Sequence, residues 1–292
     1  MTKLVLIDGN AILHRAYHAL PHSLTTKKGE PINAVYGFVS MLVRIVEDLK
    51  PSHLAVCFDT PKETFRKAEY VGYQANRPRL ESDLSSQFEI AYKVLNAMNI
   101  PIYKLERYEA DDVLGTIAEQ TQKIVDEVIV VTGDRDILQL VNDKDKVKVY
   151  MPIKGLSNAK LYSEKDVIER MGVAADKITD FKGLAGDPSD NYPGVTGIGP
   201  KTAINLIEKY GSVEDIYKHL GDIPERVSKK LAIGAESAGI SKKLATIVKD
   251  VPITFDLDGA SKWNMGSEET IKYFKELGFK TLTNRVEQMS LI

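Results

Sequence analysis

The chain has 292 residues, enough for one large domain or two ordinary ones, and its 43% hydrophobic and 27% charged composition is that of a globular protein. No apolar run approaches the ~18–20 residues of a membrane span, and the single Cys57 excludes an internal disulfide and suits a reducing cytoplasm. The net charge of −2 argues against a nucleic-acid partner only if it is evenly spread: with the nine acids assigned below to one site set aside, the remaining surface carries +7.

In chain order, Lys3 to Asp8 reads as a buried strand that ends in an acid. Its apolar run of four is too short for a signal peptide. A short loop and turn with Arg15 and Tyr17 is expected next. A helix follows over Asn33–Leu49, with Val35, Phe38, Val39, Leu42, Ile45, Val46 and Leu49 at helical spacing and Pro51 as its stop. Leu54–Asp59 is a second apolar strand ending in an acid. Residues 60–80 have no clean apolar stripe. Lys62, Arg66, Lys67, Arg77 and Arg79 outnumber Glu63 and Glu69, with Phe65, Tyr70 and Tyr73 interleaved, so the segment is expected to face substrate. A helix is expected from about Glu81 to Met98, a strand at 100–105, and a helix from 109–112 to about Lys123. Val128–Thr132 is the third strong strand, followed by Gly133-Asp134-Arg135-Asp136, a short helix over Ile137–Val141 and a strand over Val147–Tyr150.

Strands alternating with helices predict a largely parallel sheet flanked by helices, with a site beyond the carboxyl ends of the strands. After residue 163 the strand signal fades. Helices are expected at about 163–171, 176–185, 201–209, 212–219, 224–235, 238–249 and 265–278. The expected organisation is an α/β unit over 1–170 and a helical unit over 171–292.

The acids that punctuate these elements are Asp8, Asp59, Glu109, Asp111, Asp112, Asp134, Asp136, Asp187 and Asp190. Glu109 and Asp112 share a face if helical, and Asp134 and Asp136 point one way if extended. Singly, each is most simply a helix cap or turn residue. Their repetition over five segments points to a shared site. So many carboxylates converge only around cations, and hard oxygen donors select Mg²⁺ or Mn²⁺. The five His are scattered and no Cys pair exists, which argues against zinc. Two such ions can clamp a scissile phosphate.

The stretch Gly194-x-x-Gly197-x-Gly199-Pro200-Lys201-Thr202 is not a P-loop, because Pro200 separates the last glycine from the lysine and no strong strand precedes it. It reads as a hairpin between two helices, at about 184–210. Its amides, with Lys201 and Thr202, can hold a DNA backbone phosphate, and an ordinary helix–helix turn is the alternative.

Leu6-Ile7-Asp8-Gly9-Asn10, Phe58-Asp59, Phe65-Arg66, Tyr108-Glu109-Ala110-Asp111-Asp112, Thr132-Gly133-Asp134-Arg135-Asp136 and Gly186-Asp187-x-Ser189-Asp190-Asn191 occur in an order and spacing that resemble the 5′→3′ exonuclease domain of bacterial DNA polymerase I, among the flap-endonuclease relatives. The resemblance runs from Leu4 to about residue 285. It implies a PIN-like nuclease core, a helical arch at about 60–92 and a helix-hairpin-helix motif in the helical unit. The implied activity is a two-metal 5′→3′ exonuclease and 5′-flap endonuclease of DNA replication and repair.

On this resemblance Asp8, Asp59, Glu109 and Asp111 match one ion group. Asp134, Asp136, Asp187 and Asp190 match the second, with Asp111 and Asp112 between. Arg15 and Arg66 match groups that contact the reacting phosphate, beside Asp111 and Asp134 as catalytic acids. Lys67, Tyr73, Gln74 and Arg77 belong to the arch, and Gly194, Gly197, Gly199, Lys201 and Thr202 to the duplex-binding hairpin, where a monovalent cation such as K⁺ is implied. DNA with a 5′ flap, nick or single-strand/duplex junction is the implied partner, with a DNA polymerase in cis or in trans. The chain up to Ile292 carries no polymerase domain, and a monomer in the cytoplasm at the nucleoid is expected. One departure stands out: relatives carry Lys in the Tyr-Lys-x-x-Arg pattern where this chain has Gln74. A weakened or non-catalytic flap-binding protein of the same fold is therefore the alternative, and an RNA-cutting PIN-like enzyme is disfavoured by the glycine hairpin.

Overall fold

The computed structural model describes residues 1–26, 28–77, 81–154 and 158–289, with the side chains of Lys154 and Met289 left aside. Arg79, counted above among the arch cations, lies outside the described residues. Six strands form one sheet in the order β3-β2-β1-β4-β5-β6: β1 is Lys3–Asp8, β2 His53–Cys57, β3 Ile102–Tyr103, β4 Glu127–Val131, β5 Val147–Lys154 and β6 Asn158–Tyr162. All neighbours pair parallel except β5 and β6. The antiparallel edge strand β6 was not expected from the sequence.

The chain winds from β1 outward through β2 to β3, then returns to the other side of β1 with β4. That reversal makes the carboxyl ends of β1 and β4 a switch point, where a crevice opens in sheets of this kind. Alternate residues of each strand face opposite layers. Leu4, Leu6, Ala55, Cys57, Val128 and Val130 pack on one side, while Val5, Ile7, Leu54, Val56, Ile129 and Val131 pack on the other. All twelve are essentially inaccessible, so the strand ends are fixed in space.

Helix α1 is Gly9–Ala19 and α2 is Asn33–Leu49. The loop expected after β1 is thus a helix. Asp8 caps it, its Oδ1 accepting from the Ala11 N–H at 2.9 Å, and Ile12, Leu13, Ala16 and Tyr17 bury one face. A side chain at Gly9 would meet the Phe58 ring at 2.4 Å, so the turn from strand to helix requires glycine there. The short helix α3 (Phe65–Glu69) lies in the arch segment, and α4 is Ser82–Ala97. Helix α5 (Ala110–Thr121) starts with a reciprocal cap between Glu109 and Asp112. A 3₁₀ turn over Asp136–Leu140 follows β4.

The helical part comprises α6 (Glu164–Met171), α7 (Ile178–Ala185), α8 (Pro200–Tyr210), α9 (Val213–Lys218), α10 (Glu225–Ile233), α11 (Ala235–Ala245), α12 (Leu257–Ala260), α13 (Glu268–Leu277) and α14 (Lys280–Met289). Helix α7 packs along α11 and against α8, and its Leu184 joins the cluster beneath β1, β4 and α5. The last two helices turn back, so that Phe274, Phe279, Leu282 and Val286 complete the layer on α2 and α4.

Candidate active site

Apolar strands deliver the acids. Ile7 ends the buried run of β1, and Asp8 follows it, 4% exposed. One Asp8 oxygen caps α1; the other accepts from the Thr132 hydroxyl at 2.7 Å. The same Thr132 Oγ1 accepts from the Asp134 N–H at 2.9 Å, and Asp134 Oδ1 accepts from the Asp136 N–H at 2.8 Å. Asp59, two residues past β2, accepts from the Ala110 N–H at 2.7 Å, and its own N–H donates to Asn10 Oδ1 at 3.0 Å. That places Asp59 at the N-terminus of α5, where the helix dipole favours negative charge. The cap role and the site role are thus carried by the same carboxylates.

These residues line one cleft of about 850 Å³. Asp8, Asp59, Glu109, Asp111, Asp134, Asp136 and Asp190 all face it, with Arg66, Lys67, Tyr73, Gln74 and Arg77 across from them. Burial is the first cause of a general upward shift. It pushes Asp8 up to about 7 and Glu109 up to about 7, and it holds Asp59 above the ordinary carboxylate range. Asp111 is raised well above its usual value by burial and by the charges of Asp134, Asp8, Glu109 and Asp59.

Asp136, Asp187 and Asp190 form a second group, each offering an oxygen within 4.8 Å of the others'. Asp187 and Asp190 flank the turn after α7, and Asp187 accepts from the Ser189 N–H at 2.8 Å. Lys182, on α7 and 6% exposed, points its ammonium into this group, pairing with Asp136 and with Asp187. Arg77 Nη2 donates to Asp190 Oδ1 at 2.5 Å. Burial still dominates at Asp136, which is raised to about 6. At half-buried Asp187 burial is outweighed by hydrogen bonds from Lys182 and Ser189, and the carboxyl sits below its usual value.

Three of the expected catalytic and metal-holding residues stand apart from the cleft lining. Asp112 is fully buried. Its carboxylate takes a bidentate pair from Arg66 at 2.7 and 2.7 Å and accepts the N–H groups of Glu109 and Val248. Asp187 reaches the site through the second group, behind Lys182. Arg15 is half-buried on α1. Arg66, though it borders the cleft, is 2% exposed and also donates to Glu109 Oε2 and to the carbonyls of Leu244 and Thr246. Its guanidinium ties α3, α5 and the C-terminal end of α11 together.

The segment around α3 and residues 70–77 is tied to both acid groups. Tyr73 is buried, donates to Glu109 Oε2 at 3.1 Å and lies parallel to Tyr192. The Gln74 N–H donates to the Asp190 carbonyl at 2.9 Å, and Asn191 Nδ2 donates to the Gly72 carbonyl at 2.7 Å. Lys67 is exposed at the rim.

The hairpin leaves this site with Gly194 buried at φ +59, where a side chain would strike the Gly186 nitrogen at 2.2 Å. Thr196, Gly197, Gly199 and Lys201 are exposed, Thr202 is half-buried, and Pro200 opens α8. The Gly197 carbonyl accepts from Lys230 Nζ at 2.8 Å.

Three contributors escaped the sequence. Thr132 bridges Asp8 and Asp134, and its place at the end of an apolar strand was the available signal. Asn10 orients Asp59. Lys182 had no signal, since a lysine in a helical stretch reads as solvated.

All-oxygen donors suit a hard divalent ion. Each group also has a buried hydroxyl without a partner among the described residues: Thr60 Oγ1 beside Asp59, and Tyr192 OH next to Asp136, Asp187 and Asp190. Such orphaned groups are rare in folded proteins and fit a site built to take ions with their water.

A parallel sheet with carboxylates gathered at its switch point and a glycine hairpin beside it has the organisation of a nuclease. The models of the 5′-3′ exonuclease N-terminal resolvase-like domain and of the 5′-3′ exonuclease C-terminal SAM fold match residues 3–172 and 173–268. The chain belongs to the 5′-3′ exonuclease family. DNA polymerase I of Bacillus subtilis (strain 168) is 41% identical over 289 residues, taking in 99% of this chain and 32% of the relative. The chain therefore spans about a third of the length of such relatives. A zinc-bound 5′-exonuclease of bacteriophage T5 superposes with a TM-score of 0.69 at 22% identity, covering 99% of both chains. The D15 flap endonuclease of bacteriophage T5, solved with DNA and metal ions, gives 0.69 at 20% identity over 98% of this chain and 97% of that one. These two likenesses establish the fold. No described helix is long and apolar enough to cross a membrane.

Proposed function

We propose that this chain is a structure-specific 5′ nuclease that hydrolyses DNA phosphodiesters at 5′ flaps, nicks and single-strand/duplex junctions, with two Mg²⁺ or Mn²⁺ ions. The observation that carries the proposal is the convergence of seven cleft-lining carboxylates, with Asp187 behind them, at the switch point of the sheet. Asp8, Asp59, Glu109 and Asp111 would hold one ion, joined by Asp134, which Thr132 ties to Asp8 although the resemblance groups it with the second; Asp136, Asp187 and Asp190 would hold the other. When bound, the pair supplies charge neutralisation at the scissile phosphate and an activated water.

The residues of the chain then do the positioning. Lys67, Gln74 and Arg77 line the arch side, where a displaced strand would run. The exposed amides at Gly197 and Gly199, the N-terminus of α8 and Lys201 would hold duplex backbone. A K⁺ ion at the hairpin would share its carbonyls with Lys230. Residues 1–170 would form the nuclease unit, with the arch at 60–92, and 171–292 the helical unit, with the hairpin at 184–210. The matched relatives support a polymerase in cis or in trans. Action as a monomer is the reading that a cleft lined by one chain supports, and a place at the nucleoid is part of the same proposal.

A junction-binding protein with weak cleavage is the alternative. One observation favours it: Arg66 is committed to Asp112, and Gln74 brings no charge. Cleavage of a 5′-labelled DNA flap separates the two. Cutting in Mg²⁺ is expected, stopped by chelator and reduced about 10²-fold or more by Asp134→Asn with flap binding retained. A flap bound but left intact at saturating Mg²⁺ overturns the proposal.

A further inference from the structure

The two acid groups differ in what already faces them. In the second group, Lys182 is buried among its acceptors rather than at the rim: its side chain is 7% exposed and its ammonium pairs with Asp136 and Asp187 at once. Burial works against that charge, and the two carboxylates more than offset it. Arg77 closes on the third acid, Asp190, from the arch side. Three carboxylates thus meet two cations supplied by the chain itself. In the first group the only ion pair among the described residues is that of Arg66, which reaches Glu109 at 3.3 Å while spending its two shortest contacts on Asp112; Arg77 acts on Asp59 at longer range.

We propose that Lys182 and Arg77 are built-in counter-cations of the Asp136–Asp187–Asp190 group, so that a divalent ion enters that group only by displacing them. It therefore binds there later and more weakly than in the group around Asp8 and Asp111. The inference rests on the two-ion assignment above and adds an order of binding to it. A fixed ammonium and an incoming dication compete for the same oxygens, and at low local dielectric the repulsion between them is strong. Removing the ammonium frees those oxygens without touching a ligand. The long methylene stem of Lys182 lets methionine fill the same space without charge.

Mn²⁺ titration calorimetry on the intact, DNA-free chain tests this. The wild-type chain is expected to show a tight and a weak site. Lys182→Met is expected to tighten the weak site about tenfold or more and leave the tight one in place. A lysine with a merely structural role would not move ion affinity in that direction. Arg77→Met, at a half-exposed side chain, is expected to tighten the same site by a smaller factor. It decides the matter if Lys182→Met does not fold. Two ions bound with an unchanged or weakened second site in the variant overturn the counter-cation role and leave the two-ion assignment standing. No ion bound in the second group of any variant overturns both.

Discussion

The two halves of the acidic cleft are held by different means. Asp8, Asp59 and Asp134 are fixed by geometry: the Ala11 N–H and the Thr132 hydroxyl orient both oxygens of Asp8, and the N–H groups of Ala110 and Asp136 orient one oxygen each of Asp59 and Asp134. Their elements are rigid strand ends and a helix N-terminus. Asp136, Asp187 and Asp190 are fixed by charge: Lys182 and Arg77 hold them in place. The first half is costly to ionise, since burial pushes Asp8 and Glu109 to about 7 and raises Asp111 well above its usual value. The second is already neutralised in part, and Asp187 there sits below its usual value. Acids that look equivalent in sequence are therefore held differently in the metal-free fold, although burial still raises Asp136 and Asp190.

The largest effect expected on stability lies where charge pairing is complete. Arg66→Met leaves Asp112 buried without its bidentate partner and should cost about 3–5 kcal/mol of unfolding free energy. Denaturant unfolding measures it. A loss below about 1 kcal/mol would show that Arg66 is free to serve the reacting phosphate, which would blur the contrast between structural and cleft charges.

A smaller effect is expected from pH. In chelator, folded Asp8, Glu109 and Asp136 keep protons up to about 7, about 7 and about 6, whereas their ordinary values are 3.8, 4.5 and 3.8. Between those limits the folded chain binds more protons than the unfolded one, so these groups make stability fall as pH rises from about 4 to about 7. Divalent ions take the deprotonated form, so Mg²⁺ should stabilise most above pH 7 and flatten or reverse that slope. Melting temperature against pH, with and without Mg²⁺, tests this. A metal-free profile that climbs through the window would contradict the assigned burial cost.

Most of the scaffold was legible because its signals are local. Apolar runs ending in Asp8 and Asp59, the run at Val128–Val131 leading to Asp134, and the stop at Pro51 mark strands and helices directly. The family motifs marked the candidate acids for the same reason, since most of these acids sit where an element begins or ends. What was missed depends on contacts far along the chain. Helix α1 was hidden because Gly9 and Asn10 open it like a turn, and its helical spacing at Ile12, Leu13, Ala16 and Tyr17 is short. Strand β6 pairs only at an edge, through Asn158-Ala159-Lys160-Leu161-Tyr162, which lacks β-branched residues. Arg66 carried a phosphate-facing expectation, yet its partner Asp112 is 46 residues away, and no spacing rule joins them. Lys182 is buried only because α7 is carried against Asp136 by its packing on α11 and the 3₁₀ turn after β4.

The most direct test of the contrast compares two neutral substitutions in chelator at about pH 8, by melting temperature. Asp111→Asn removes a carboxyl whose ionisation is opposed by burial and by four neighbouring acids and should raise the melting temperature by about 2–4 °C for each kcal/mol relieved. Asp187→Asn removes an acceptor of Lys182 and should lower it. Opposite signs are the predicted result. Shifts of the same sign would contradict the claim that one half of the cleft is held by geometry and the other by charge.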